Sequence, residues 1–229
     1  MRQTLFVTAT DTGVGKTLVC GLLLRFLKEQ GILVGYQKWV STGGATPADM
    51  ETVAGLAEMS FLPEELEWRV PYRFAFPASP HLAAELEGWV VAAERIEEAF
   101  FTAQASCEVL VVEGVGGALV PLRRELLLAD LMARLQLPTL IVARSGLGTI
   151  NHTLLTIEAL RQRGVPIQGV VLADSFPHEE ETIVADNLRT IAELGRVDVL
   201  GRLPWCAEAA ELHRHFAPIG ALILSLLTK

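Results

Sequence analysis

The chain has 229 residues, with 19 Lys and Arg against 27 Asp and Glu, a formal net charge of −8 with His neutral. That balance opposes nucleic-acid binding, which needs a basic surface. The mean hydropathy of +0.37 requires no membrane, because parallel strands buried on both faces read as continuous aliphatic runs, and no apolar run reaches the ~18 residues of a spanning helix.

Met1-Arg2-Gln3 leads straight into a strand predicted at Thr4–Ala9, with no apolar signal region, so a cytoplasmic protein is expected. Val19, Leu22, Leu23, Phe26 and Leu27 then recur at helical spacing, with Arg25, Lys28 and Glu29 facing away. This amphipathic helix should stop at Gly31. A strand at Leu33–Trp39 and a helix at Ala48–Glu58 follow. The stretch from Leu62 to Gly88 breaks the rhythm with Pro63, Pro71, Pro77 and Pro80, and starts a helix at Ser79-Pro80, Ser as N-cap and Pro at N1. It is expected to fold over one sheet edge as an insertion. Beyond it, helices at Ala93–Ala105, Ala129–Gln136, Ile150–Arg163 and Glu180–Leu194 alternate with strands at Glu108–Glu113, Pro138–Ala143, Gln168–Ala173 and Asp198–Leu203. Such alternation predicts one doubly wound α/β domain, a mainly parallel sheet with helices on both faces. Cys20, Cys107 and Cys206 are odd in number, far apart and without a CxxC pair, so neither a disulfide framework nor a zinc site is expected.

The strongest chemical signal is Ala9-Thr10-Asp11-Thr12-Gly13-Val14-Gly15-Lys16-Thr17, between the first strand and first helix. Backbone N–H groups of such a loop converge on phosphate oxygens at a helix N-terminus. Lys16 supplies an ammonium for β- and γ-phosphates, and the Thr17 hydroxyl is placed to ligate Mg²⁺. The loop starts on Ala9 instead of Gly and has one extra residue before Gly15. A P-loop also needs an acidic metal partner on a neighbouring strand. The run Val109–Val112 ends on Glu113, followed by Gly114-Val115-Gly116-Gly117. Asp49 reads either as a second metal-facing carboxylate or as an ordinary helix-start Asp. These features place the sheet in the P-loop NTPase-like class.

The ordered motifs resemble those of dethiobiotin synthetases. Thr10-Asp11-Thr12 precedes Gly-Val-Gly-Lys-Thr, and Gly35-Tyr36-Gln37-Lys38 precedes Ser41-Thr42-Gly43. Pro71-Tyr72-x-Phe74, Pro77-x-Ser79-Pro80-His81 and Glu87-Gly88 come next. Val112-Glu113-Gly114-Val115-Gly116-Gly117, Leu147-Gly148-Thr149-Ile150-Asn151-His152 and Leu203-Pro204-Trp205 complete the set, from residue 4 to residue 211. Departures are the extra Gln37, Trp39 where the family has proline, and Ala173 where the family's Asn meets the adenine edge.

The resemblance implies that 7,8-diaminononanoate, CO₂ and ATP yield dethiobiotin, ADP and phosphate. One amine forms a carbamate, ATP phosphorylates it, and the second amine displaces phosphate. It implies Lys38 and Lys16 as catalytic residues, although Lys38 alone reads as a surface strand-end lysine. Thr17, Asp49 and Glu113 take the Mg²⁺ positions. ATP is held by Thr12, Gly13, Val14, Gly15, Lys16, Thr17 and Leu18, with Asp49, Glu113, Gly114, Val115 and Gly116. Asp174, Pro204, Trp205, Cys206 and Glu211 complete the nucleotide positions. Thr42 contacts the other substrate, whose carboxylate is received by Gly148, Thr149, Ile150 and Asn151 of the second subunit of a homodimer. Without the family, Thr149 reads as an N-cap. His213 and His215, two apart in a helical stretch, point to different faces and are assigned no metal, and His152 is expected to support the 148–151 loop.

Two other readings compete. A ParA/MinD-like ATPase switch shares the fold class, but its loop reads K-G-G-x-G-K-T, and Asp11 stands at the signature lysine. Its membrane-binding members end in a basic amphipathic helix, whereas Ile219–Lys229 is apolar with one lysine. Amidating cobyrinate synthases carry a glutamine amidotransferase domain for which 229 residues leave no room. A GTPase is disfavoured by the absence of an NKxD motif.

Overall fold

In a computed structural model the described residues are 2–44 and 47–228, so Met1 and Lys229, which end two stretches read above, lie outside them. The chain begins with strand β1 (Gln3–Ala9), helix α1 (Lys16–Glu29), strands β2 (Val34–Lys38) and β3 (Val40–Thr42), and helix α2 (Ala48–Ala57). A 3₁₀ turn at Pro63–Glu65 leads to α3 (Leu66–Arg69), β4 (Tyr72–Phe74), α4 (Pro80–Leu86) and α5 (Ala93–Ala105). Next come β5 (Val109–Glu113), the short pair β6 (Pro121–Arg123) and β7 (Leu126–Leu127), and α6 (Leu128–Arg134). The remainder alternates as β8 (Thr139–Arg144), α7 (Thr149–Gln162), β9 (Ile167–Ala173), α8 (Glu181–Gly195), β10 (Val199–Leu203) and α9 (Ala209–Leu227).

Six strands form one sheet in the order β10-β9-β8-β1-β5-β2, every neighbour parallel. All six are those expected from the aliphatic runs. Alternate strand residues divide the core. Leu5, Val7, Tyr36, Val111, Leu140 and Val142 pack beneath α1, α2 and α9. Phe6, Leu110, Val112, Ile141 and Leu172 pack against α5, α6, α7 and α8. Two buried faces explain the high hydropathy. Helix α1 buries Cys20 and Leu24 beyond its expected stripe, because α2 and α9 flank it. It stops at Gly31 as expected, in a Schellman motif. Gly31, at φ 79°, donates to Lys28 O, and Ile32 donates to Leu27 O.

The expected strand Leu33–Trp39 is cut in two. β2 pairs with β5 until Lys38 meets Glu113, the Trp39 N–H makes a last bond to Glu113 O at 3.3 Å, and β5 then gives way to the glycine loop. Trp39 tucks its ring against Phe6, and β3 pairs instead with β4, Val40 opposite Tyr72. Within the 62–88 stretch, Trp68 and Arg69 lie against the β2 edge, while α4 packs on β6 and β3. Arg69 Nη1 donates to Tyr36 O at 2.8 Å, and Gln37 Nε2 donates to Trp68 O at 2.7 Å, so the edge offers little to another strand. Ser79 takes the N-cap position before Pro80, but its hydroxyl meets His81 Nδ1 at 3.0 Å instead of capping the backbone. Helix α9 extends well beyond the helical stretch read around His213, with Pro218 inside it. No described helix is long and apolar enough to cross a membrane.

Candidate active site

In a parallel sheet all carboxyl ends face one way, so β1, β2 and β5 deliver the phosphate loop, Lys38 and Glu113 to one edge. Gly15 caps α1 at φ 101°, a left-handed conformation that a side chain resists. A Cβ there would also stand 3.3 Å from Ala173 Cβ. Lys16, the first residue of α1, folds back so that Nζ donates to Asp11 O at 3.3 Å. Asp11 in turn accepts from the Thr12 N–H at 2.7 Å and lies 3.4 Å from Arg144.

Thr17 and three charged side chains meet behind the loop. Thr17 Oγ1 lies 3.1 Å from Asp49 Oδ1 and 2.9 Å from Glu113 Oε1. Lys38 Nζ reaches Glu113 Oε1 at 2.6 Å and Asp49 Oδ2 at 2.8 Å. Of the alternatives left open by the residues alone, the structure removes the solvated lysine, since Lys38 is 3% exposed. Asp49 lies in the first turn of α2 and yet turns its carboxylate to Thr17 and Lys38. Burial alone would lower the Lys38 pKa, but Glu113 and Asp49 outweigh it and hold it above the usual lysine value. Burial likewise raises Asp49, and the Lys38 ammonium outweighs that and holds the carboxyl below its usual range. Lys16, buried and facing the Lys38 ammonium, is pushed down to about 8.

Sequence reasoning missed Tyr36. Its hydroxyl donates to Glu113 Oε2 at 2.7 Å, and burial followed by the carboxylate's charge pushes its pKa well up. The signal existed, because Tyr36 and Lys38 are two apart in a strand and share a face. The extra Gln37 leaves the β2–β5 register unbroken and turns to the opposite face, where Trp39 Nε1 donates to its Oε1 at 3.1 Å.

A cleft of about 520 Å³ gathers many of the expected residues. Thr12, Gly13, Gly15, Lys16, Thr17, Leu18, Lys38, Thr42, Asp49, Glu113, Val115 and Gly116 line it. A second hollow of about 380 Å³ shares Thr12 and runs between Gly117–Pro121 and the α7 face of His152, Leu155 and Thr156. Gly148 caps α7, so Thr149 is its first residue rather than the N-cap. The Thr149 hydroxyl is buried 3.3 Å from that of Thr153. The segment Gly148–Asn151 does not line the cleft of its own chain.

Asp174, Pro204, Trp205 and Cys206 follow the ends of β9 and β10, Glu211 lies in the first turn of α9, and none of the five lines that cleft. Asp174 is fully engaged. Arg202 grips both its oxygens at 2.8 and 2.7 Å, Ser145 donates at 2.6 Å, and the Trp205 N–H at 3.3 Å. Burial raises its pKa, and these donors outweigh that and hold it low. His213 faces Glu29 of α1, while His215 turns to Glu211, so the two histidines do point apart. His152 is exposed on α7 and lines the second hollow.

A family model described as an AAA domain matches residues 3–211. The chain is 45% identical over 212 residues to ATP-dependent dethiobiotin synthetase BioD of Anaeromyxobacter dehalogenans (strain 2CP-C), covering 92% of this chain and 93% of that one. The chain belongs to the ATP-dependent dethiobiotin synthetase family. The relative of that name in Novosphingobium aromaticivorans is 47% identical over 209 residues, 89% of this chain and 92% of its own. Among solved structures, the MinC:MinD cell division protein complex of Aquifex aeolicus is similar at TM-score 0.61 and 12% identity, covering 97% of this chain and 96% of that one. That likeness shows the doubly wound P-loop fold alone. It does not favour the ATPase switch over the synthetase family.

Proposed function

We propose that this chain is an ATP-dependent ligase that closes the ureido ring of dethiobiotin from 7,8-diaminononanoate and CO₂, releasing ADP and phosphate. The observation that carries this reading is the convergence of Thr17, Lys38, Asp49 and Glu113 behind the phosphate loop of a chain in this family. The reaction needs little acid–base machinery. It needs positive charge where the γ-phosphate and carbamate oxygens meet, and close positioning. Lys16 holds the transferring phosphoryl group, and with its pKa lowered to about 8, phosphate binding completes its protonation. Lys38 faces the same cleft as Thr42, from which the hydroxyl holds the amine substrate.

Three hard oxygen donors, from Thr17, Asp49 and Glu113, meet at one point, and the Lys38 ammonium already supplies positive charge between the two carboxylates. That donor set suits Mg²⁺, which when bound would neutralise charge on the phosphate oxygens. Lys38, paired with the same two carboxylates and facing the cleft, is the ammonium placed to serve carbamate and γ-phosphate oxygens. The active species is a homodimer in which Gly148–Asn151 receives the carboxylate of the substrate bound opposite. Leu147 and Leu155 stand exposed beside that segment, an apolar surface suited to a second copy.

The test is ADP release and dethiobiotin formation with MgATP, diaminononanoate and bicarbonate, each omitted in turn. Dethiobiotin that requires all three supports the assignment, whereas ATPase activity indifferent to the organic substrates would favour a switch. An active monomer in sedimentation at assay concentration would remove the shared site.

A further inference from the structure

A second constellation lies at the far end of the strand edge. Cys206 follows β10, Glu211 lies in the first turn of α9, and His215 stands one turn on. Spacing of four residues puts Glu211 and His215 on one helix face, with His215 Nε2 3.9 Å from Glu211 Oε1. The loop out of β10 lays Cys206 over that face. Among the described residues these are the one group of three His, Cys, Asp or Glu side chains whose ligand atoms gather so closely, all within 4.8 Å of one another. Tetrahedral coordination by sulfur, nitrogen and oxygen at ~2.0–2.3 Å sets ligand atoms about 3.5 Å apart. Two of the three side chains are exposed, so a shift of about 1 Å by their free ends closes the set.

We propose that Cys206, Glu211 and His215 form a three-ligand site for a zinc-class divalent cation, with its fourth position open to solvent. The donors set its chemistry. A thiolate and an imidazole select a borderline transition metal over Mg²⁺, whereas the all-oxygen group of Thr17, Asp49 and Glu113 selects the reverse. Binding forms the metal–sulfur bond as the Cys206 thiol proton passes to solvent, so affinity rises with pH. Burial and the neighbouring Glu211 hold that thiol above its usual pKa without the metal, which carries the dependence to higher pH. An open fourth position makes the ion exchangeable instead of a structural staple. The proposal departs from the expectation, drawn from cysteine spacing alone, that no zinc is held. It stands on side-chain geometry and does not depend on the reading of these residues as nucleotide contacts.

The probe is Co²⁺ added to the purified, reduced full chain without nucleotide, followed by absorption. The expected result is saturation at one equivalent, with a thiolate-to-cobalt charge-transfer band, strong tetrahedral visible bands, and bleaching by one equivalent of Zn²⁺. Cys206→Ser should remove the charge-transfer band, and His215→Ala should weaken binding about tenfold or more. His213→Ala, on the other helix face, should change neither. Cobalt in the oxygen site gives no thiolate band. A thiolate band that is missing, that survives Cys206→Ser, or that is untouched by His215→Ala overturns the proposal.

Discussion

The ammonium of Lys38 lies 2.6 Å from Oε1 of Glu113, a pair in which the two side chains are 3% and 0% exposed. Replacing Lys38 with Met leaves a buried carboxylate without its counter-charge, which costs about 3–5 kcal/mol. Urea unfolding in chelator should show that loss, and Mg²⁺ should then stabilise the variant more than the parent, where the ammonium competes. Its kcat should fall roughly 10²–10³-fold, by analogy with other preorganised charge contacts, with nucleotide affinity little changed. A variant as stable as the parent in chelator would contradict the pairing.

Tyr36→Phe removes the donor to the other Glu113 oxygen and leaves it buried and unpaired. The expected cost is about 1.5–3 kcal/mol in urea unfolding, together with weaker Mg²⁺ binding. Loss of stability with Mg²⁺ affinity intact would show that the hydroxyl serves packing alone.

Lys16, pushed down to about 8, is partly neutral in the free protein at mildly alkaline pH. Phosphate oxygens favour its charged form, so binding draws a proton from solvent. Calorimetry of MgADP binding in buffers of different ionisation enthalpy should find uptake of roughly half a proton at pH 8 and about a tenth at pH 7. Equal uptake at both values would mean that Lys16 keeps an ordinary pKa.

Asp174 is held below its unfolded pKa by Arg202 and Ser145. A depressed carboxyl pKa gives stability that is complete above the unfolded value, about 3.9, and is lost as pH falls through the folded one. Asp174→Asn should be less stable by about 1.5–3 kcal/mol at pH 7. The gap should hold to about pH 5 and narrow below about 4. A gap that widens in acid would reverse the sign.

The Ala173 side chain, at the end of β9 against Gly15, has no hydrogen-bonding atom for a base edge. A missing bond of this kind is worth roughly 1–3 kcal/mol, so kcat/KM for ATP should exceed that for GTP or CTP by no more than about a hundredfold. A larger preference would show that backbone groups elsewhere read adenine.

The sheet was legible because each strand is a short aliphatic run buried on both faces. Lys16 and Thr17 were legible because the phosphate loop is contiguous in sequence. Trp39 misled, since its apolar character extends the strand pattern past the last ladder pair with β5, Lys38 opposite Glu113. Tyr36 and Arg202 were hidden for another reason. Their contacts join distant positions, Tyr36 to Glu113 across 77 residues and Arg202 to Asp174 across 28. Local spacing carries no record of such pairings.

The central place of β1 has a consequence for biosynthesis. Its neighbours are Val109–Glu113 on one side and Thr139–Val142 on the other, so the strand that leads into the phosphate loop emerges from the ribosome long before either partner. At ~5–20 residues per second, several seconds separate the Thr4–Ala9 segment from its first neighbour, and on the order of seconds more pass before its second. Throughout that interval Leu5, Phe6 and Val7 are exposed on a nascent chain that cannot yet bury them. The first part of the active site to be translated is among the last to be organised.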